Sequence, residues 1–307
     1  MKHLKYYAFS ILFFALTISA FAQKTETKQA EIKTAVQSSV LSQDLKLSSK
    51  LMAREMPYRV ILPKNYEANK AEKFPVLYLL HGLTGHFDNW VDKTKLRDYA
   101  ANYDYIIVTP EGNDGWYTDS ATAANDKYES YIIQELIAEI DAKFRTLADR
   151  EHRAVAGLSM GGYGSLKFGL KYPEKFVVVG SFSGALAAAS FTDKTLGNGW
   201  KGLTDSIMNV YGAEDSQTRK ENDIYKMVRE ISPEKAKTLP FIYLDCGTED
   251  GLIASNRDFS ALLVEKKIPH EFRELPGKHN WVFWDSQVQE FLRLSGKFLM
   301  NRSAITK

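Results

Sequence analysis

Gly157-Leu158-Ser159-Met160-Gly161-Gly162 is the stretch that decides the fold. Arg153-Ala154-Val155-Ala156 before it is short and apolar and reads as a strand. Tyr163-Gly164-Ser165-Leu166-Lys167-Phe168-Gly169-Leu170 after it reads as a helix. A serine held in so sharp a turn needs glycine neighbours to avoid clashes, and its Oγ then stands exposed at the end of the sheet. The N-terminus of the following helix favours negative charge developing nearby. G-x-S-x-G strings recur by chance. Strand, turn and helix in that order make this one a candidate nucleophile elbow, with Ser159 as the nucleophile.

Working outward from the elbow, alternation or short apolar runs predict further strands at 40–52, 56–62, 76–80, 105–109, 176–182, 241–244 and 270–275. The runs at 76–80 and 105–109 are apolar almost throughout, as buried parallel strands require. Helical stretches alternate with the strands, at 93–102, 128–145, 162–171, 252–266 and 285–300. Tyr131, Ile132, Leu136, Ile140 and Phe144 recur at helical spacing and predict a core-facing stripe. This alternation predicts an α/β fold, with a mainly parallel sheet and helices on both faces, in a domain spanning 43–301. Residues 185–233 break the pattern just after a central strand. They are expected to form a small cap insertion over the carboxyl ends of the strands, where ligands bind in such sheets.

The N-terminus reads as a separate signal. Lys2, His3 and Lys5 precede an almost unbroken apolar run over 6–18, and Ala20-Phe21-Ala22 is an A-x-A cleavage site. Residues 1–22 are therefore expected to be a secretory signal peptide, cleaved after Ala22, and 23–42 a polar, flexible leader. The apolar run is short for a membrane span, and no cysteine follows the cleavage site to carry a lipid. A secreted or periplasmic protein without a stable membrane anchor is the expectation. Losing Lys2 and Lys5 cancels the formal charge of +2. A neutral mature chain offers no basic patch for nucleic acid. The single cysteine, Cys246, has no partner for a disulfide and no metal-ligand spacing, and is expected to be buried at a strand end.

A serine nucleophile needs a base, and the base needs an orienting acid. Six histidines are available. His3 leaves with the signal, while His152 precedes the elbow strand and His270 begins a strand, so both sit at the wrong end of the sheet. His81 and His86 lie in the loop after the 76–80 strand. His279, in Gly277-Lys278-His279-Asn280-Trp281 after the last strand, is the best base. An imidazole titrates near ~6.5, which suits proton transfer at neutral pH. The acid should fall between serine and histidine in chain order, and Asp245-Cys246-Gly247-Thr248-Glu249-Asp250 offers three carboxylates there. Asp245 is at the strand end. Spacing does not choose between Glu249 and Asp250, and Asp250 is also placed to cap the helix that follows. The oxyanion hole needs two backbone N–H groups, for which Met160 and Leu83, in His81-Gly82-Leu83-Thr84-Gly85, are the candidates.

Together these pieces resemble the esterase D-like family of α/β-hydrolases. The matching segments are Leu80-His81-Gly82-Leu83 with Asn89-Trp90, Trp116-Tyr117-Thr118-Asp119, the elbow, Cys246-Gly247-Thr248-Glu249-Asp250, and His279-Asn280-Trp281 with Phe283-Trp284. They run in order over about 54–299. The resemblance implies an α/β-hydrolase fold and a catalytic triad of Ser159, Asp250 and His279. Asp250 is preferred to Glu249 because the family's acid closes the matching Cys-Gly-Thr-x-Asp segment. It implies Leu83 and Met160 as the oxyanion pair, and Trp90, Trp116, Tyr117 and Asp119 beside the substrate. Relatives often carry Gly-Gly where this chain has Gly277-Lys278, a departure at the rim of the site. The family includes feruloyl, acetyl and tributyrin-type esterases, S-formylglutathione hydrolases and mycolyltransferases. The expected activity is thus a secreted serine carboxylesterase needing no cofactor or metal. Its expected partner is a small-molecule or polysaccharide-linked ester, with feruloyl and acetyl groups as candidates. Acyl transfer of the mycolyltransferase type, thioester hydrolysis and a non-catalytic binding role on the same fold are the alternatives.

Overall fold

The computed structural model describes residues 40–192, Thr195 and residues 201–300. The expected signal peptide, and the expected leader up to residue 39, lie outside the described residues. Among the described residues eight strands form one sheet: β1 (Ser42–Ser49), β2 (Arg54–Ile61), β3 (Val76–Leu80), β4 (Ile106–Pro110), β5 (Arg153–Leu158), β6 (Val178–Phe182), β7 (Phe241–Gly247) and β8 (His270–Leu275). Their order across the sheet is β1-β2-β4-β3-β5-β6-β7-β8. The β1/β2 and β2/β4 pairs are antiparallel, and every pair from β4 to β8 is parallel.

The sequence pattern explains the layering. Every residue of β3, β4, β5 and β6 is buried, so both faces of the central sheet are covered. Side chains alternate between two cores, as a period of two demands. Val76, Tyr78 and Leu80 of β3 join one core, Leu77 and Leu79 the other. Four helices matter most to the site: α1 (Met160–Lys171), α2 (Lys201–Tyr211), α3 (Ile253–Glu265) and α4 (Trp281–Leu299). On one face α1 packs through Tyr163, Leu166 and Leu170. On the other, α4 packs through Val288, Phe291 and Leu292. The chain steps from β3 to β4 on one side, then returns to place β5 on β3's other side. The crevice beyond the carboxyl ends of β3 and β5 is therefore the switch point where doubly wound sheets bind ligands.

Several elements differ from their expected bounds for local reasons. The helix expected at 93–102 is two short ones, Asn89–Asp92 and Leu96–Ala100. Between them the Thr94 hydroxyl donates to the Trp90 carbonyl and accepts the Leu96 N–H, competing with the helix ladder. The last helix starts at Trp281 rather than 285, because Asn280 Oδ1 accepts the Phe283 N–H at 3.1 Å as an N-cap. The predicted stripe holds: Tyr131, Ile132, Leu136 and Ile140 are buried, and Phe144 packs half-buried against the same core. Cys246 is buried within β7. Among the described residues, no helix is long and apolar enough to cross a membrane.

Candidate active site

Ser159 links β5 to α1 with φ +53° and ψ −114°, a conformation that L side chains resist. Its surroundings impose it. Its N–H donates to the Phe182 carbonyl at 2.9 Å, and its carbonyl accepts from the Tyr163 and Ala185 N–H groups at 3.1 and 3.0 Å. Glycine is required on either side. A Cβ on Gly157 would stand 2.6 Å from the Gly161 carbonyl, and one on Gly161 2.6 Å from the carbonyl oxygens of Leu80 and His81.

His279, from the β8–α4 loop, lies 3.0 Å from Ser159 Oγ through Nε2 and 2.8 Å from Asp250 Oδ2 through Nδ1. Asp250, in the β7–α3 loop, is 3% exposed. Its second oxygen, Oδ1, accepts the Leu252 N–H at 2.9 Å, so one carboxylate orients the imidazole and fixes the approach to α3. Burial works to raise the Asp250 carboxyl. The hydrogen bonds from His279 and Leu252 and the nearby imidazole charge outweigh it and hold the group below its usual value. Two backbone bonds tie the β7 and β8 loops together, Thr248 N–H to Leu275 O at 2.8 Å and Glu249 N–H to Gly277 O at 3.0 Å. Trp284 meets the His279 ring edge-to-face at 4.9 Å.

The other carboxylates lie elsewhere. Glu249 is exposed and faces Lys278 at 3.5 Å, outside the cavity. Asp245 is fully buried beside Tyr243, and burial pushes its carboxyl well up. His81 and His86 both turn toward Glu111.

Leu83 lines the cavity and Met160 directly follows Ser159. Met160 opens α1, so its N–H has no partner within the helix. The Leu83 N–H meets no protein acceptor among the described residues, while its neighbours are pinned: Thr84 N–H to Asp114 Oδ1 at 2.7 Å and Gly85 N–H to Gly82 O at 3.0 Å.

Glu111, which the sequence reading did not single out, braces this loop from beneath. Its carboxylate accepts the N–H groups of Asn113 (2.7 Å), Gly112 (3.1 Å) and Phe87 (3.4 Å) and faces His81 Nε2 and His86 Nδ1, each at 3.2 Å. Burial opposes its ionisation, but the His81 hydrogen bond and the other partners pull the carboxyl down to about 2. The signal was a glutamate at the carboxyl end of an apolar strand, where a buried charge needs a reason. Glu111→Gln should cost about 2 kcal/mol of stability and lower kcat on an ester about tenfold or more by loosening the Leu83 loop. The pH dependence should change too. The stabilisation from a lowered carboxyl is present above its unfolded value and lost as pH falls toward about 2, a loss that Gln would lack. Urea unfolding from pH 7 to 3, with kcat on p-nitrophenyl acetate, checks both.

A cavity of about 690 Å³ opens over Ser159 and His279. Its walls include Leu83 and Trp116, with Ala185, Phe191 and Leu203 from the expected insertion. Of the four residues expected beside the substrate, Trp116 alone lines the cavity; the other three need correction. Trp90 is fully buried and donates from Nε1 to the Leu80 carbonyl at 3.0 Å. Tyr117 is fully buried, its hydroxyl donating to His81 O at 2.9 Å. Asp119 accepts the N–H and hydroxyl of Ser130 at 2.9 and 2.5 Å. These three hold the walls in place.

Trp116 and Tyr117 both adopt φ of +50°. Lys167, fully buried in α1, holds this strained turn by donating to Tyr117 O at 2.6 Å and Thr118 Oγ1 at 2.7 Å, with Glu129 at 2.7 Å as its counter-charge. The Trp116 Nε1 in turn donates to Ser206 Oγ of α2 at 3.0 Å, joining the turn to the insertion. Among the described residues, no cluster of His, Cys, Asp and Glu could hold a metal ion.

Residues 49–294 match the family described as Putative esterase. The chain belongs to this family. An acetyl esterase of Caldicellulosiruptor saccharolyticus is 29% identical to it over 248 residues, covering 78% of this chain and 92% of the relative. An esterase of Mycobacterium tuberculosis is 34% identical over 237 residues, 72% of this chain but 51% of that longer protein. Among solved structures, a ferulic acid esterase superposes with a TM-score of 0.72 at 28% identity, covering 84% of this chain and 98% of the other. The fold is that of an α/β-hydrolase, and the chain is a serine hydrolase of carboxylic esters. The five motifs of this esterase meet at one end of the sheet, each lending residues to the cavity, among them Leu83, Trp116, Ser159, Asp250 and His279.

Proposed function

We propose that this esterase is exported and deacylates polysaccharide-linked esters, acetyl or feruloyl, through an acyl-Ser159 intermediate. The observation that carries the chemistry is the hydrogen-bonded series Asp250–His279–Ser159 at the floor of an apolar-walled cavity. Ser159 Oγ attacks the ester carbonyl carbon as His279 Nε2 takes its proton. Asp250 holds the Nδ1–H tautomer and stabilises the imidazolium. The oxyanion receives the Leu83 and Met160 N–H groups. As the tetrahedral intermediate collapses, the C–O bond to the alcohol breaks and Nε2 gives its proton to the leaving oxygen. Water then attacks the acyl-serine by the same steps and frees the acid.

Substrate and location rest on different support. The acetyl esterase and ferulic acid esterase relatives suggest the two acyl groups. The signal-like sequence at 1–22 suggests that the ester is met outside the membrane. Initial rates on acetylated xylan, methyl ferulate and p-nitrophenyl esters from acetate to octanoate test the reading. Release of acetate or ferulate is expected, with both lost in Ser159→Ala. Turnover confined to nitrophenyl esters overturns the polysaccharide assignment. Product appearing on an added alcohol rather than as free acid would make the enzyme a transferase.

A further inference from the structure

We propose that Lys93 and Trp281 form the leaving-group side of the cavity, and that this side receives an alcohol bearing a carboxylate. The inference rests on the catalytic reading of Ser159 and His279 given above. Since His279 Nε2 hands its proton to the leaving oxygen, the alcohol must lie on the histidine's side of Ser159. Trp281 and Lys93 both line the cavity. They are fixed to that side by a chain of ring contacts: Trp284 meets His279 at 4.9 Å, and Trp281 meets Trp284 at 5.3 Å and 90°. Trp90 holds Trp281 from another direction at 5.5 Å and 86°. Trp281 is thus a rigid wall rather than a swinging side chain.

The Lys93 Nζ stands 5.3 Å from the centre of the Trp281 ring. This cation–π contact keeps the ammonium at the wall instead of letting it wander into solvent. Lys93 has no ion pair among the described residues, and nearby acids are committed elsewhere. Asp92 pairs with Arg59 at 2.9 Å. Asp285 accepts the Lys95 N–H at 2.7 Å and the Tyr99 hydroxyl at 3.0 Å. Trp116, Phe191 and Leu203, which also line the cavity, carry no charge and suit an apolar acyl group. A held cation on the leaving-group side, in a cavity whose lining carboxylate, Asp250, is committed to His279 and Leu252, selects a negative leaving group. A carboxylate on the alcohol, as on an acidic sugar or a hydroxy acid, has that charge.

The test compares kcat/KM for 4-acetoxybenzoate with that for the neutral 4-acetoxybenzamide, in wild type, Lys93→Met and Lys93→Arg. The ratio should fall about tenfold in Lys93→Met, recover in Lys93→Arg and shrink in wild type as salt is raised. An unchanged ratio in Lys93→Met overturns the proposal. So does a larger effect on the ratio of mono-p-nitrophenyl succinate to p-nitrophenyl acetate, which would put the charge on the acyl side. Acetate release from acetylated polygalacturonate against acetylated xylan separates the sources. A Lys93-dependent preference for the former points to an acidic polysaccharide, and its restriction to the small ester points to a free hydroxy acid. If wild type shows no Ser159-dependent turnover of 4-acetoxybenzamide, the catalytic reading itself fails, a result distinct from loss of charge selectivity alone.

Discussion

Ser159→Ala is expected to lower kcat on every ester substrate by about 10⁶-fold while leaving the folded enzyme intact. The size follows from the kind of group removed. Without Oγ there is no nucleophile for His279 to activate, so the base and its carboxylate lose their function together rather than by separate increments. A residual rate above uncatalysed hydrolysis should survive, because the Leu83 and Met160 N–H groups remain to bind a developing oxyanion. Folding should be indifferent to the change. Among the described residues the hydroxyl's one hydrogen bond is to His279 Nε2, and Ala tolerates φ +53° no worse than Ser does. Circular dichroism and a thermal melt should match wild type, while a fluorophosphonate probe that labels wild type should leave the variant unlabelled. Substantial turnover by the folded variant would remove Ser159 from the mechanism and return weight to a binding role on this fold.

What was legible in the sequence, and what was not, divides along a physical line. The elbow could be read because steric exclusion leaves room only for glycine there: a Cβ two residues before Ser159 would meet Gly161 within the turn, and one two residues after would meet the Leu80 and His81 carbonyls of the neighbouring strand end. The central strands could be read because burial on both faces demands uninterrupted apolar runs. The choice between Glu249 and Asp250 could not be read from spacing, because both reach the same loop. Folding separates them by burial, one exposed against Lys278 and the other 3% exposed beneath His279. Trp90, Tyr117 and Asp119 belong to segments that flank the cavity, yet proximity in the chain does not say which side of a loop faces ligand. Glu111 was overlooked for the opposite reason. Three of its partners, His81, His86 and Phe87, come from the loop after β3 and reach it only when β3 and β4 pair. Lys93 likewise becomes informative only once the ring of Trp281, far along the chain, is placed beneath it.

Asp250→Asn carries the second large effect, a fall of about 10⁴-fold in kcat with KM little changed. The two carboxylate oxygens have separate tasks, and an amide can keep only one. Oδ1 must accept the Leu252 N–H, so the asparagine oxygen takes that place and its NH₂ is turned toward His279 Nδ1. Nδ1 can then only accept, which puts the imidazole proton on Nε2, pointing at Ser159 Oγ. A base whose proton already faces the nucleophile cannot take another, so the geometry survives and the chemistry stops. The retained hydrogen bond from the Leu252 N–H, just ahead of α3, keeps the loop in place, which separates this outcome from a structural collapse. The pH dependence of stability supplies an independent check. In wild type the lowered Asp250 carboxyl stabilises the fold above its unfolded value near ~3.9, and this contribution disappears as acid protonates it. The asparagine variant should lack that component, so its melting temperature should fall less than wild type's between pH 5 and 3. A folded Asp250→Asn enzyme within about tenfold of wild-type kcat would show that the carboxylate serves α3 alone and that His279 is oriented by something else.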